Sequence, residues 1–249
     1  MGTTTPPPSD VWPLQELRAV APAWHTVVLV VAFLGVSYLS AGTQADVVTK
    51  HGRVPIYVTT MVWEWLLLLY AWWGMRQRKV SLGQITGGRW NTVEDVLLDI
   101  AIGVGFWLLI ALLLAAIGYA LGLGGAKQMQ QAKENILVLL PEGPLEVLLW
   151  IGLSITAGFC EELLFRGYLM AQFAAATRNV ALGLLLQALV FGGSHAYEGW
   201  QRMILISIEG VALGLLVILR KNLRSAMIAH GMQDAVAGLL GRLATKAIK

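Results

Sequence analysis

Charge is scarce in this chain: 13% of its 249 residues are Asp, Glu, Lys or Arg, about half the ~25% of a typical soluble domain. With 57% hydrophobic residues and a mean hydropathy of +0.66, a water-facing globular surface is excluded. Cysteine is nearly absent, and Cys160 alone cannot form an intrachain disulfide. Neither sign of charge dominates, since the net value is only +3, and no basic stripe with interleaved aromatics occurs, which argues against nucleic acid as a partner. The first apolar run follows the polar, proline-rich segment 3–10 without a convincing small-residue cleavage site, so it is expected to anchor the protein and not to be a cleaved signal. Met1-Gly2 is followed by Thr3, Thr4, Thr5 and Pro6, so the myristoylation pattern fails at the position where Ser or Thr is wanted. Three catalytic signatures are missing as well: there is no GxSxG for a serine nucleophile, no HExxH helix for zinc, and no GxGD around Asp234.

What is present is a series of apolar runs long enough to cross ~30 Å of hydrocarbon. Seven can be drawn, at Trp24–Ser40, Ile56–Met75, Val96–Leu123, Leu145–Phe165, Val180–Ser194, Met203–Leu219 and Ser225–Leu240. This predicts an all-α, polytopic transmembrane bundle of about seven spans (six to eight), its last four forming a catalytic core. Residues 1–20 read as a mobile tail, 21–144 as amino-terminal spans plus a connector, and 145–249 as the core. Asn91 or Thr92, followed by Glu94 and Asp95, reads as an N-cap with first-turn acids. Gly210 and Gly214, spaced as small-xxx-small, predict close helix contact. The segment Ala126–Pro144 reads as either an interfacial lid or a connector. Arg76, Arg78, Lys79 and Arg89 crowd one loop and Arg220, Lys221 and Arg224 another. By the positive-inside rule both loops and the N-terminus are placed in the cytoplasm, with the chain integral to that membrane.

Against this apolar background Glu161 and Glu162 stand out. An intramembrane carboxylate costs ~2.5 kcal/mol or more even on lenient insertion scales, so two neighbours call for a reason. On a helix Glu162 and Arg166 share a face and can pair, while Glu161 lies about 100° around and is expected to project alone into a cavity as the working carboxylate. Phe191 and His195 repeat the four-residue spacing on the next span, as do His230 and Asp234 on the last. If Arg178 marks a turn, Glu161 lies 17 residues before it and His195 17 after, so the two reach equal depth. His230 is expected roughly 10 Å shallower in a regular bundle. His25 and His51 read as solvated residues at span ends, and Glu64 and Glu209 as further buried carboxylates that pair with an arginine or line the cavity.

The run Glu161-Glu162-Leu-Leu-Phe-Arg166-Gly167, then Phe191-Gly-Gly-Ser-His195, then His230-Gly-Met-Gln-Asp234, resembles the EExxxR, FxxxH and HxxxN/D motifs of the CPBP intramembrane proteases. That family includes CAAX prenyl protease type II and the lysostaphin resistance A-like and Abi proteins. The resemblance covers about residues 150 to 240. It implies peptide-bond hydrolysis inside the membrane, with Glu161 activating water, His195 positioning it, and His230 with Asp234 polarising the scissile carbonyl. Glu162, Arg166 and Phe191 would support the site. The implied partners are the bilayer and a peptide or lipidated protein, as in CAAX-box protein processing. These enzymes are often labelled metalloendopeptidases; no cofactor is expected here, although Glu161, His195, His230 and Asp234 would be the residues to hold a zinc ion. Where studied relatives place asparagine, this chain has Asp234, which would have to be protonated, orient His230, or bind a metal. Two other readings stay open: an ion network that only joins helices, and a non-enzymatic immunity, resistance or peptide-binding protein using the same cavity.

Overall fold

A computed structural model describes residues 12–122, 125 and 136–247, with side chains described as far as Leu243. Among them there are helices and no strands. Seven principal helices follow in order: α1 (Ala23–Ser40), α2 (Val54–Gln77), α3 (Val93–Ala120), α4 (Pro144–Thr177), α5 (Val180–Gly193), α6 (Trp200–Arg220) and α7 (Arg224–Ala247). The seven drawn spans fall on these helices in order. Five of them, α1 to α4 and α6, are long and apolar enough to cross a membrane by length and composition.

Local sequence explains several boundaries. Thr92 caps α3 in a reciprocal box with Asp95, satisfying otherwise orphaned backbone N–H groups. Asn179 caps α5 by accepting from the N–H groups of Ala181 and Leu182. Leu29, Phe33, Leu67, Ala71, Phe165 and Leu169 belong to one buried core, whereas Val31, Leu69, Leu109, Leu112 and Leu189 point outward. An apolar outer face is what a lipid solvent selects, because lipid removes the hydrophobic drive between helices and leaves packing and small residues to hold them.

Small residues set the helix seams that matter for the site. A Cβ on Gly158 would lie 2.7 Å from the backbone nitrogen of Gly231 and 2.8 Å from the carbonyl oxygen of Met227, so α4 and α7 touch backbone to backbone. With Trp150 Nε1 donating to the Asp234 carbonyl at 2.9 Å, this fixes an antiparallel register that slides His230 beside Glu161 and Glu162. The α5/α6 seam is equally close: Gly210 faces Ala188 and Gly214 faces Leu184, as their spacing predicts. Gln187 Nε2 adds a buried bond to the Gly210 carbonyl at 2.9 Å.

Two expectations need correction. Residues 12–22 are no mobile tail: Leu14, Val20 and Ala21 are buried, and the Val20 N–H donates to Gln172 Oε1 at 2.7 Å. The apolar residues among the prolines make this segment a docked plug, while residues 1–11 lie outside the described residues. His25 is fully buried, its ring against Trp24, Tyr70 and Trp73 and its Nε2 2.9 Å from Gln77 Nε2. Most of the segment read as a lid or connector lies outside the described residues. At its end Arg53 Nε donates to the Val138 carbonyl at 2.8 Å and the Tyr57 hydroxyl donates to that of Leu139.

Candidate active site

The long helix α4 changes pitch where the motif begins. Residues Glu162–Leu169 form a π-helical stretch in which all eight residues are buried. Such widened turns are frequent at functional sites. Gly167 lies within this stretch, where a Cβ would meet Ile85 Cγ2 at 2.3 Å.

Glu162 and Arg166 pair as the spacing predicts, at 2.7 Å between Oε1 and Nη1, with both side chains fully buried. The Arg166 guanidinium also lies over the Phe191 ring, 4.1 Å from its centroid. What the sequence did not reveal is that Glu162 Oε1 has a second partner, His230 Nδ1 at 2.9 Å. A carboxylate only accepts hydrogen bonds, so that ring nitrogen carries the proton. The other nitrogen, Nε2, then faces Glu161 Oε2 at 3.9 Å and Asp234 Oδ2 at 3.6 Å. The ion pair is thus also the mount that aims His230, the kind of outer support that orients a reactive imidazole.

His195 stands just beyond the end of α5, at the start of the 3-10 turn Ala196–Glu198, with φ −110° and ψ 20°. The four-residue relation to Phe191 survives as a hydrogen bond: His195 Nδ1 lies 2.8 Å from the Phe191 carbonyl. That carbonyl can only accept, so Nδ1 is the protonated nitrogen and Nε2 is left as an acceptor. Phe191, 2% exposed, touches both imidazoles, with ring centroids 5.0 Å from His195 and 5.8 Å from His230. At 14 residues α5 rises about 21 Å, too little to span the hydrocarbon. Irregular backbone at membrane depth is tolerated where it lines a cavity, and His195 does so here.

The cavity has a volume of about 1060 Å³. His195, His230 and Asp234 stand on its wall together with Phe191, Glu209 and Gln233. Glu161 is not among the lining residues. Its side chain is 14% exposed, and it reaches the site by way of His230 instead of projecting alone into open space. Its Oε2 is buried and has no hydrogen-bond partner among the described residues. The expected 10 Å depth difference for His230 is absent because the helices have unequal ends. Glu161 lies about 24 Å before the end of α4, while His230 lies only about 9 Å into α7.

Of the cavity's other polar members, Glu209 lines the wall as the sequence reading allowed, whereas Glu198, Arg202 and Gln233 were missed. Glu198 and Arg202 pair at 3.2 Å beside it, a four-residue spacing that was visible in the sequence. Glu209 accepts from Gln233 Nε2 at 2.5 Å, a contact between α6 and α7 that no spacing signals. The Tyr197 ring lies beside His195, with ring centroids 5.9 Å apart. Among the described residues no three His, Cys, Asp or Glu side chains come together as metal ligands. Glu161, His195, His230 and Asp234 therefore do not fit a zinc site in this conformation.

No curated protein and no solved structure matches the chain. One family model does, that of the Rce1-like, type II CAAX prenyl endopeptidases, over residues 143–236. The match begins one residue before α4 and closes two residues after Asp234, so it encloses Glu161, Glu162, Arg166, Phe191, His195, His230 and Asp234. Residues 143–236 thus match the model of the Rce1-like, type II CAAX prenyl endopeptidase family and lie within a membrane-type helical bundle.

Proposed function

We propose that the chain is an intramembrane endopeptidase that hydrolyses a peptide bond with water activated by Glu161, and that its substrate is a lipidated, CAAX-type protein or peptide. One observation carries this reading: His230, held by Glu162 through Nδ1, presents Nε2 to Glu161 and Asp234 at the wall of a cavity that also holds His195.

In this mechanism Glu161 takes a proton from the attacking water as the oxygen bonds to the scissile carbonyl carbon. A positioned base of this kind contributes typically ~10²–10⁴-fold. His195, with Nδ1–H committed to the Phe191 carbonyl, uses the lone pair on Nε2 to hold that water. As the imidazolium, His230 carries a proton on Nε2 as well and donates to the developing oxyanion, worth a further ~10²–10³. Asp234 Oδ2, 3.6 Å from Nε2 and beyond hydrogen-bond reach, orients the ring while leaving the Nε2 proton to the oxyanion. The proton held by Glu161 then passes to the departing amine. No step is routed through a metal ion. Trp107, Leu114, Leu205, Ile206, Val236 and Leu240 give the cavity apolar walls suited to a lipid tail. We read α1 to α3 as the scaffold that shields this core, with the N-terminus and the two basic loops on the cytoplasmic side.

The test is cleavage of a farnesylated peptide ending in a CAAX sequence by the purified protein, followed by mass spectrometry, with the unprenylated peptide beside it. The proposal expects hydrolysis, faster for the prenylated form. Tight binding of either peptide without any cleavage would reject the enzyme and favour an immunity or peptide-binding role.

A further inference from the structure

Glu64 lies on α2, outside the matched domain, and is 5% exposed. It has no arginine partner among the described residues, and its Oε2 is buried without a hydrogen bond. Burying a carboxylate is costly unless something compensates it. The helix positions show what stands nearby. Tyr57, Met61, Glu64 and Leu68 follow at steps of four, three and four, so they form one stripe of α2. That stripe packs on α4. Tyr57 meets the Trp150 ring at 5.6 Å and Met61 Sδ lies 3.8 Å from a Cβ placed on Gly152. Trp65, beside the stripe, meets Phe159 at 5.7 Å. Numbers rise together on both helices, so they run parallel. The Trp65–Phe159 rung places Glu64 about 4.5 Å along the axis from Glu161.

Angular position gives the same neighbour. Trp150, Ser154, Ala157 and Glu161 also step by four, three and four, so Glu161 shares a stripe with Trp150 three turns away. Trp150 sits between α2, through Tyr57, and α7, through the Asp234 carbonyl. Glu161 is correspondingly wedged between α2 and α7. On the α7 side it meets His230; on the α2 side the acid at its level is Glu64. Each has a buried Oε2 without a hydrogen bond among the described residues. Glu161, Asp234 and His230 all lie within electrostatic range of Glu64, as does the Cys160 thiol.

We propose that Glu64 is a positioning residue for Glu161: the two carboxyl groups hold one proton between them, and Glu64 thereby fixes the orientation and charge of the acid that works on water. Two buried carboxylates facing one site cannot both ionise cheaply, and an environment that separates their protonation states assigns them different roles. The inference rests on the reading of Glu161 as the base.

Two measurements test it, one independent of proteolysis. Infrared spectroscopy of the purified protein should show a protonated-carboxyl band that disappears in Glu64→Gln and shifts in Glu161→Gln. A band untouched by either substitution overturns the pairing, whether or not the protein cleaves peptides. In the cleavage assay Glu64→Gln should lower kcat about 10–100-fold, the range for groups that orient a reactive residue. KM should stay within about twofold, as expected when substrate binding is unaltered. Glu64→Asp, which restores a carboxyl group, should recover part of the rate. Unchanged kcat in Glu64→Gln overturns the proposal. So does a loss that Asp does not relieve and that tracks a lowered unfolding temperature, which would make Glu64 a packing residue only.

Discussion

Replacing Arg166 by methionine keeps most of its volume but removes the cation from a fully buried pair. Glu162 would keep only His230 as a partner for the oxygen that now bridges the two, and its Oε2 already has no hydrogen bond among the described residues. Breaking a buried pair from one side costs about 3–5 kcal/mol, because the surviving charge is left uncompensated. The guanidinium also leaves the Phe191 face, 4.1 Å away, a desolvated cation–π contact worth up to about 2 kcal/mol. Removing both charges, as Glu162→Gln with Arg166→Met, should cost less than the sum of the singles, with a coupling of about 2–3 kcal/mol. Equilibrium unfolding in mixed micelles, followed by circular dichroism, measures all three variants. A cost below about 1 kcal/mol for Arg166→Met, or additive singles, would refute the claim that this pair is a closed, mutually dependent unit. Because the same oxygen holds His230, Glu162→Gln should also lower the cleavage rate more than it lowers stability.

Other consequences can be checked separately. Asp234→Asn should retain activity, since an amide oxygen can orient His230 as the carboxylate does; complete loss in the peptide assay would assign Asp234 a role that needs its charge. Gly158→Ala would press a methyl group into the backbone of α7, at 2.7 Å from Gly231 N. It should destabilise by about 1–3 kcal/mol and abolish cleavage by moving His230; a variant with normal stability and rate would contradict the backbone-contact register. Asp99 accepts from Trp90, Arg220, Arg224 and Ser225, at 2.7–3.0 Å, while 1% exposed. Asp99→Ala should cost about 3 kcal/mol, less than the summed bonds to a charged group, read by the same unfolding measurement. Cysteines introduced at Lys79 and Lys221 in a Cys160→Ala background should both be labelled from the cytoplasmic side; labelling from opposite sides would overturn the assigned orientation.

The spans and the site motifs were legible because both have a periodic signature in one dimension. Apolar runs marked the seven helices, and the four-residue spacings marked Glu162 with Arg166, Phe191 with His195, and His230 with Asp234. What stayed hidden depends on how one helix slides past another. The depth of His230 is set by the Gly158–Gly231 contact and by the overhang of α4, neither of which leaves a local pattern. The bond from His230 to Glu162 follows from that register and so was equally invisible. The π-helical stretch at Glu162–Leu169 was read as regular helix, because no proline or charge break announces it. His25 was misplaced for a related reason. Its nearness to a span end suggested water, but Trp24, Tyr70 and Trp73 close around it from two helices.

The central claim is that Glu161 is the base. Glu161→Gln preserves shape and burial while removing the proton acceptor, so the purified variant should unfold as the wild type does and cleave the farnesylated CAAX peptide at least about 10²-fold more slowly. A folded Glu161→Gln variant cleaving at the wild-type rate would contradict the account.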